Sequence, residues 1–356
     1  MKISILLPYK ENFSPEYPGA VSLFVYETSK ISQFKKNITV FGNTNFKKKF
    51  NIKYQNIDLN KNLFSSQTRN YVKRFIKLEK KFQSTLIEVH NRPSYIHILN
   101  AELKDKIYTL YFHNDPLSMD GSKTIEQRKK LLKICYKIIF NSAWSKKRFL
   151  EGLENKFVNS NKLLIFYQSA KKSNPSIIKN KKKWITFVGK LNKAKGYDVF
   201  AAAIKKVLNK HQNWKAIIIG DEKREKIILK HKNAKLLGFK KHTDVLNIFK
   251  KTSITVACSR WEEPFGRTSL EASANGCAVI ITNKGGLPET VTNAKILKNL
   301  NINNLVKTID SLIKNKSLRT KLQNLSIKNF YLTHKFVSNL IDKYRSEKLN
   351  FNKNIF

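Results

Sequence analysis

A chain of 356 residues is long enough for about two domains of ordinary size. Hydrophobic residues at 41% and aromatics at 11% supply packed cores, which excludes a disordered chain. Lys and Arg number 69 against 25 Asp and Glu, a formal charge of +44, and the lysines run the whole length of the chain. Such a field draws in anions. A lysine-, asparagine- and isoleucine-rich composition accounts for it, and so does a role at an anionic membrane surface. No basic-aromatic recognition motif accompanies it, so a specific nucleic-acid binder is not indicated.

The N-terminal run Met1–Pro8 is too short and too little apolar for a secretory signal and predicts a first strand, Ile3–Leu7. Nothing in the chain approaches the roughly 18 apolar residues of a membrane-spanning helix. Cys135, Cys258 and Cys277 include two in apolar strand patterns and read as reduced core thiols, with no zinc spacing among them. A cytoplasmic protein is the expectation, with peripheral contact at the inner face of the plasma membrane as the charge-based extension.

Further strands are predicted at Ile38–Phe41, Leu86–His90, Tyr95–Leu99, Ile107–Phe112 and Tyr136–Phe140, separated by helical patterns such as Val21–Phe34 and Arg69–Phe82. Alternating strand and helix argues for a parallel α/β sheet. Pro18-Gly19-Ala20, between the first strand and helix, is either a plain turn or a close approach of backbone to a phosphate. His90 and His113 both fall at strand ends, where a histidine serves either structure or a ligand. Residues 69–82 form a basic amphipathic helix with Tyr71, Phe75, Leu78 and Phe82 on one side. Its apolar face either packs on the domain or rests on an anionic membrane beside a lipid-linked acceptor.

Residues 170–183, rich in Lys, Asn and Ser, predict an interdomain linker. The strand Trp184–Val188 then leads into Gly189-Lys190-Leu191-Asn192-Lys193-Ala194-Lys195-Gly196 and the helix Tyr197–Asn209. A strand, a glycine turn, cations and a helix N-terminus together make a diphosphate site by ordinary electrostatics. Ala216–Ile219 and Leu236-Leu237 end in Gly220-Asp221 and Gly238-Phe239, and a helix is expected after each.

The stretch 252–291 carries the sharpest pattern. Ile254–Cys258 predicts a buried strand, Pro264 and Gly266 break the following loop, a helix begins near Arg267, and Asn275-Gly276 ends it before a second strand, Cys277–Ile281. Glu263 sits on the loop and Glu271 eight residues on, inside the helix. At the carboxyl end of a strand in a doubly wound sheet, two such carboxylates are placed to accept hydroxyl hydrogen bonds from a polyol. A solvated loop charge and a helix-surface charge is the plain alternative.

Glu263-Pro264-Phe265-Gly266, Glu271-Ala272, Asn275-Gly276, Ala278-Val279 and Gly285-Gly286-Leu287-Pro288-Glu289 closely resemble the signature of glycosyltransferase family 4, with two glutamates separated by seven residues. The resemblance is strong over 184–291 and weaker over 1–165. It implies a GT-B fold, α/β, of two Rossmann-like doubly wound parallel-sheet domains facing a cleft. Residues 1–168, completed by a C-terminal helix at 329–350, would form the acceptor-side domain, and 169–328 the nucleotide-sugar domain. The implied reaction is transfer from a UDP- or GDP-sugar to a glycan or lipid-linked hydroxyl with retained configuration. No other cofactor and no metal are expected, since no D-x-D occurs. Cell-surface polysaccharide or lipopolysaccharide synthesis is the setting by analogy.

Residue by residue, the resemblance places Glu263 on the donor sugar and Glu271 on the ribose. Lys195 and Lys190 would meet the diphosphate, although Lys190 stands where arginine is usual and so loses bidentate geometry. His113 would face the donor sugar, with His90 as second choice. Gly19, where the family has a glycine pair, would approach the phosphates. Gly189, Phe265, Gly266, Arg267 and Thr268 complete the donor-binding set. A nucleotide-sugar 2-epimerase and a non-catalytic polyanion-binding protein are the competing readings.

Overall fold

The computed structural model describes residues 2–59 and 66–353. The chain divides into two compact units, residues 1–169 with 334–356, and residues 170–333.

In chain order the first unit runs β1 (Ile3–Leu6), α1 (Ala20–Ser29), β2 (Ile38–Gly42), β3 (Tyr54–Asn56), α2 (Gln67–Phe82), β4 (Leu86–His90), α3 (Pro93–Glu102), β5 (Ile107–Phe112), α4 (Ile125–Ile134), β6 (Lys137–Phe140), α5 (Ala143–Leu150) and β7 (Leu163–Ile165). All its strand pairs are parallel, in the order β3-β2-β1-β4-β5-β6-β7. The order reverses between β1 and β4, the switch point where doubly wound sheets hold ligands. One face carries α2 and α3, whose Tyr71, Phe75, Tyr95 and Ile96 pack with Leu6, Phe41 and Val89 in a single core.

Two expectations change here. Tyr95–Leu99 is not a strand but part of α3. Pro93 occupies the first helical turn, and Tyr95, Ile96 and Leu99 bury one face at helical spacing. A short apolar run alone does not separate the two periods. Helix α1 stops at Ser29, well before Phe34. Around α2 the domain-packing option is realised: Tyr71, Val72, Phe75 and Ile76 are buried within the unit, and Glu79 beneath them accepts from Ser4 Oγ and Ser84 N.

The second unit contains β8 (Lys182–Val188), α6 (Tyr197–Lys210), β9 (Lys215–Ile219), β10 (Ala234–Leu236), α7 (His242–Lys251), β11 (Thr252–Ala257), α8 (Arg267–Ala274), β12 (Ala278–Thr282), β13 (Ala294–Leu297), α9 (Ile302–Lys314) and α10 (Lys316–Lys328). Its parallel sheet repeats the same winding, β10-β9-β8-β11-β12-β13. Strand residues alternate between two cores. Ile185, Phe187, Ile218, Val256 and Ile280 face α6 and α9, while Ile217, Ile219, Val279 and Ile281 face α7 and α8. Both faces are covered, which explains the unbroken apolar runs of these strands. No helix separates β9 from β10, contrary to expectation; the connection is irregular.

Residues 170–183 are also more than a linker. Ala170 bridges Thr333, a short 3-10 turn covers Pro175–Asn180, and Lys181 Nζ donates to the carbonyls of Phe249 and Asn275. Reading composition alone missed these backbone carbonyl partners. The last helix, α11 (His334–Lys353), returns to the first unit, where Ser338 Oγ donates to the Thr28 carbonyl. All three cysteines are buried free thiols, and burial pushes Cys135 and Cys258 up to about 12. Among the described residues no helix is long and apolar enough to cross a membrane.

Candidate active site

The second unit builds its site from three loops at the carboxyl ends of β8 and β11 and just past β12. The loop after β8 is clamped to the loop after β11. Gly196, with φ +71°, caps the N-terminus of α6 and lies so close to Cys258 that an added Cβ would stand 2.0 Å from its carbonyl oxygen. Arg260 N donates to the Ala194 carbonyl at 2.9 Å, and the Arg260 guanidinium reaches both the Lys193 carbonyl and Asp198. That clamp delivers Lys195 to Glu263: its ammonium pairs with the Glu263 carboxylate, which also accepts from Ser259 Oγ. Lys195 remains half exposed and Glu263 is buried.

The third loop holds Glu263 from behind. Its carbonyl accepts from Gly286 N at 2.7 Å, while Glu262 takes Gly285 N and pairs with Lys284 at 3.1 Å. Gly285 has φ +58°, and a Cβ there would stand 2.2 Å from the Glu263 oxygen. Gly285 is therefore needed for a close approach of two backbones as well as for its turn.

Glu271 lies one turn into α8, buried, accepting from Arg267 Nε at 2.6 Å and paired with His242 Nε2 at 2.8 Å. Burial pushes its carboxyl up, but the Arg267 charge and His242 outweigh burial and hold it below the usual carboxylate range. Gly266 caps α8, Phe265 is buried, and Thr268 Oγ1 reaches the Val188 carbonyl at 3.4 Å, beside Gly189. No atom comes within 4 Å of a Cβ built on Gly189, so the turn above β8 is open. Lys190 is exposed on that turn. Gly189, Lys190, Lys195, Glu263, Phe265, Gly266, Arg267, Thr268 and Glu271 are thus gathered at one edge of the second sheet.

His113 and Gly19 belong to the first unit. His113 follows β5 and meets His90, at the end of β4, with 3.0 Å between Nε2 and Nδ1. Phe24 of α1 lies edge-on to His113, and the His90 ring stacks on Tyr111 at 4.3 Å. Burial, then Arg345, lowers His90 to about 3, and burial, then His90, holds His113 well below the ordinary imidazole range. Burial thus disfavours the charged form of both rings. Among the described residues neither His90 Nε2 nor His113 Nδ1 has a hydrogen-bond partner.

Gly19 caps the N-terminus of α1. Glu11 Oε1 accepts from Ser22 N at 2.8 Å, so the N-terminus of α1 already holds a carboxylate. A Cβ on Gly19 would stand 2.1 Å from that oxygen. The room beside the glycine is filled by the protein's own Glu11.

Sequence reasoning missed His242, Ser259 and Arg260. Ser259 and Arg260 lie within the stretch 252–291 but carry no motif. His242 opens α7 just past Gly238, and only the fold brings it to Glu271. No three His, Cys, Asp or Glu side chains among the described residues form a metal-binding group.

Two doubly wound parallel sheets in this order are the GT-B architecture of glycosyltransferases. Residues 168–328 match the family of glycosyl transferases group 1. Over nearly the whole chain the fold is similar to HepE of Anabaena, solved with UDP and glucose, with TM-score 0.75, 17% identity, and 97% of this chain and 99% of that one covered. A glycosyltransferase from Rickettsia africae aligns with TM-score 0.72, 18% identity and 98% of each chain. Among curated proteins, spore coat protein SA of Bacillus subtilis is 25% identical over 242 residues, 61% of this chain and 64% of that protein. The lipopolysaccharide core mannosyltransferase LpsB of Rhizobium meliloti is 30% identical over 121 residues, 31% of this chain and 34% of its own. The alignment thus reaches less than two thirds of these curated relatives' length.

Proposed function

We propose that this protein is a retaining glycosyltransferase that moves a sugar from a nucleoside diphosphate sugar, with UDP or GDP as the base carrier, to a hydroxyl of a glycan or lipid-linked acceptor. The observation that carries the reading is the pair of buried glutamates at one sheet edge, each held differently. Glu271 is fixed as an anion by Arg267 and His242, a stable acceptor for ribose hydroxyls. Glu263 is held by Lys195 and Ser259 beside an open glycine turn.

In this reading the diphosphate lies over Gly189 and the N-terminus of α8, and its arrival draws Lys195 from Glu263 toward phosphate. As the glycosidic bond breaks, charge builds on the departing diphosphate, and Lys195, Lys190 and the amides of α8 stabilise it. These cations take the role a metal would otherwise have, so no metal is required. Glu263, released from Lys195, accepts hydroxyls of the donor sugar. Assembly of a bacterial surface glycan at the cytoplasmic face of the membrane is the setting we favour; the lipopolysaccharide role of LpsB supports the surface glycan, and UDP in HepE supports the nucleotide carrier.

The test is transfer from α-configured UDP- and GDP-sugars to simple glycosides, with the anomeric configuration of the product read by NMR. An α-linked product supports the reading. A β-linked product, or consistent epimerisation of the donor without transfer, overturns it.

A further inference from the structure

Strand β10 is the outermost strand of the second sheet and, among the described residues, pairs with β9 alone. Leu236 stands opposite Ile218 in that pairing, on the face that α6 covers. Ile218 is buried, yet Leu236, one strand further out, is 47% exposed. The connection from β9 to β10 runs down the same side. Its Ile227 and Leu229 pack into the core under α6, while Ile228 between those two is left 75% exposed. His231 Nε2 meets Asn209 Oδ1 at 3.0 Å and Asn233 Nδ2 donates to the Gln212 carbonyl at 2.7 Å, which ties the connection to the C-terminal end of α6. Two exposed aliphatic side chains therefore share one fixed margin of the sheet.

The same margin is basic. From Lys226 to Leu236 the chain has four lysines, Lys226, Lys230, Lys232 and Lys235, and no Asp or Glu. All four are exposed, and none has a carboxylate partner among the described residues. The acids just before them are engaged elsewhere: Glu222 holds Arg224 and Asn192, and Glu225 accepts from Lys193 N at 2.9 Å. Exposed apolar side chains at a sheet edge invite either another chain or a membrane. Two copies of this edge would bring two sets of four unpaired lysines together, which repel. An anionic bilayer neutralises that charge, takes the aliphatic side chains into its interface, and lets the lysine stems reach the headgroups. Helix α2 is also basic, but its Tyr71, Val72, Phe75 and Ile76 are buried, so those side chains give it no membrane anchor.

We infer that the β10 edge of the second unit is a docking surface for an anionic lipid bilayer, with Ile228 and Leu236 entering the headgroup region and Lys226, Lys230, Lys232 and Lys235 meeting lipid phosphates. The inference does not depend on the transferase reading, since none of these residues belongs to the candidate active site.

The test is cosedimentation of the full chain with vesicles of phosphatidylcholine alone and with about one third phosphatidylglycerol, at low and at physiological salt. Melting curves and thermal stabilisation by UDP, GDP and ADP are recorded on the same proteins. The expected result is binding to the anionic vesicles and far weaker binding to the neutral ones. Each lysine at such a surface is worth about fivefold in affinity. Lys226→Gln, Lys230→Gln, Lys232→Gln and Lys235→Gln together should therefore lower it more than about a hundredfold. Ile228→Ser with Leu236→Ser should lower it at least about tenfold and remove the part that survives physiological salt. The same charge loss on α2, made by Lys73→Gln, Lys77→Gln, Lys80→Gln and Lys81→Gln, should cost at most a few-fold. Equal loss in the α2 variant, undiminished binding in the edge variants, or equal binding to neutral vesicles overturns the inference. So does a dimer in solution that Leu236→Ser dissolves, which would give the edge to a second copy of the chain. Nucleotide stabilisation that persists in these cases leaves the transferase reading standing, and only the docking surface falls.

Discussion

His90 Nδ1 and His113 Nε2 lie 3.0 Å apart, deep in the first unit, at the ends of two neighbouring strands. Protonating either ring would bury an unpaired charge.

This makes the pair a source of acid sensitivity. Both folded pKa values lie below the ordinary 6.5, His90 at about 3, so the unfolded chain takes up protons first as pH falls. Stability is therefore full above about 6.5 and is lost below it, by up to about 1.4 kcal/mol per pH unit for each histidine. Melting temperatures between pH 7 and pH 5 should fall less steeply for His90→Gln than for the wild type. Parallel curves would contradict this.

Lys195 is half exposed, and its pair with Glu263 adds little to stability. Lys195→Ala is expected to melt within a few degrees of the wild type while kcat falls about 10²- to 10³-fold. Steady-state transfer kinetics beside a melting curve check this. A loss confined to KM would argue that the lysine binds donor and transition state equally.

Gly285→Ala adds a Cβ 2.2 Å from the Glu263 carbonyl oxygen at a residue with positive φ. The strain costs about 1–3 kcal/mol, and the loop carrying Glu263 must move. Activity should drop well beyond what the loss of stability explains, measured below the melting transition. Full activity would show that the Glu263 loop tolerates displacement.

How far the sequence was legible depended on how local the causes were. The loops around Glu263 and Glu271 could be read because Pro264, Gly266 and Asn275-Gly276 punctuate them and each acts within a few residues. The parallel α/β sheet followed from alternating strand and helix patterns, which survive without long-range information, whereas the doubly wound order came only with the family resemblance. Tyr95–Leu99 was misread because a five-residue apolar run does not contain its own period, and Pro93 had to be recognised as a helix start. His242 at Glu271 and His90 at His113 depend on contacts 29 and 23 residues apart, which no spacing encodes. Glu11 filling the room at Gly19 is of the same kind.

Helix α11 is fixed to the first unit by a buried ion pair. Arg345 Nε and Nη2 donate to the two oxygens of Glu88 at 2.8 and 2.7 Å, and Tyr344 OH donates to the same carboxylate. Arg345→Met alone leaves Glu88 buried and uncompensated and should cost about 3–5 kcal/mol. Glu88→Leu combined with Arg345→Met should recover most of that. Denaturant melts of the single and double variants measure both. An Arg345→Met protein as stable as the wild type would show that the pair is not what holds the helix.

The central claim is that Glu271 marks a nucleotide site. Thermal stabilisation by UDP, GDP and ADP at moderate salt, for the wild type and Glu271→Ala side by side, tests it most directly. The account predicts a clear shift with one nucleotide that is lost in the variant. Equal shifts with every polyanion, or a shift that survives in Glu271→Ala, would contradict it and leave the +44 charge as the reason this protein binds anions.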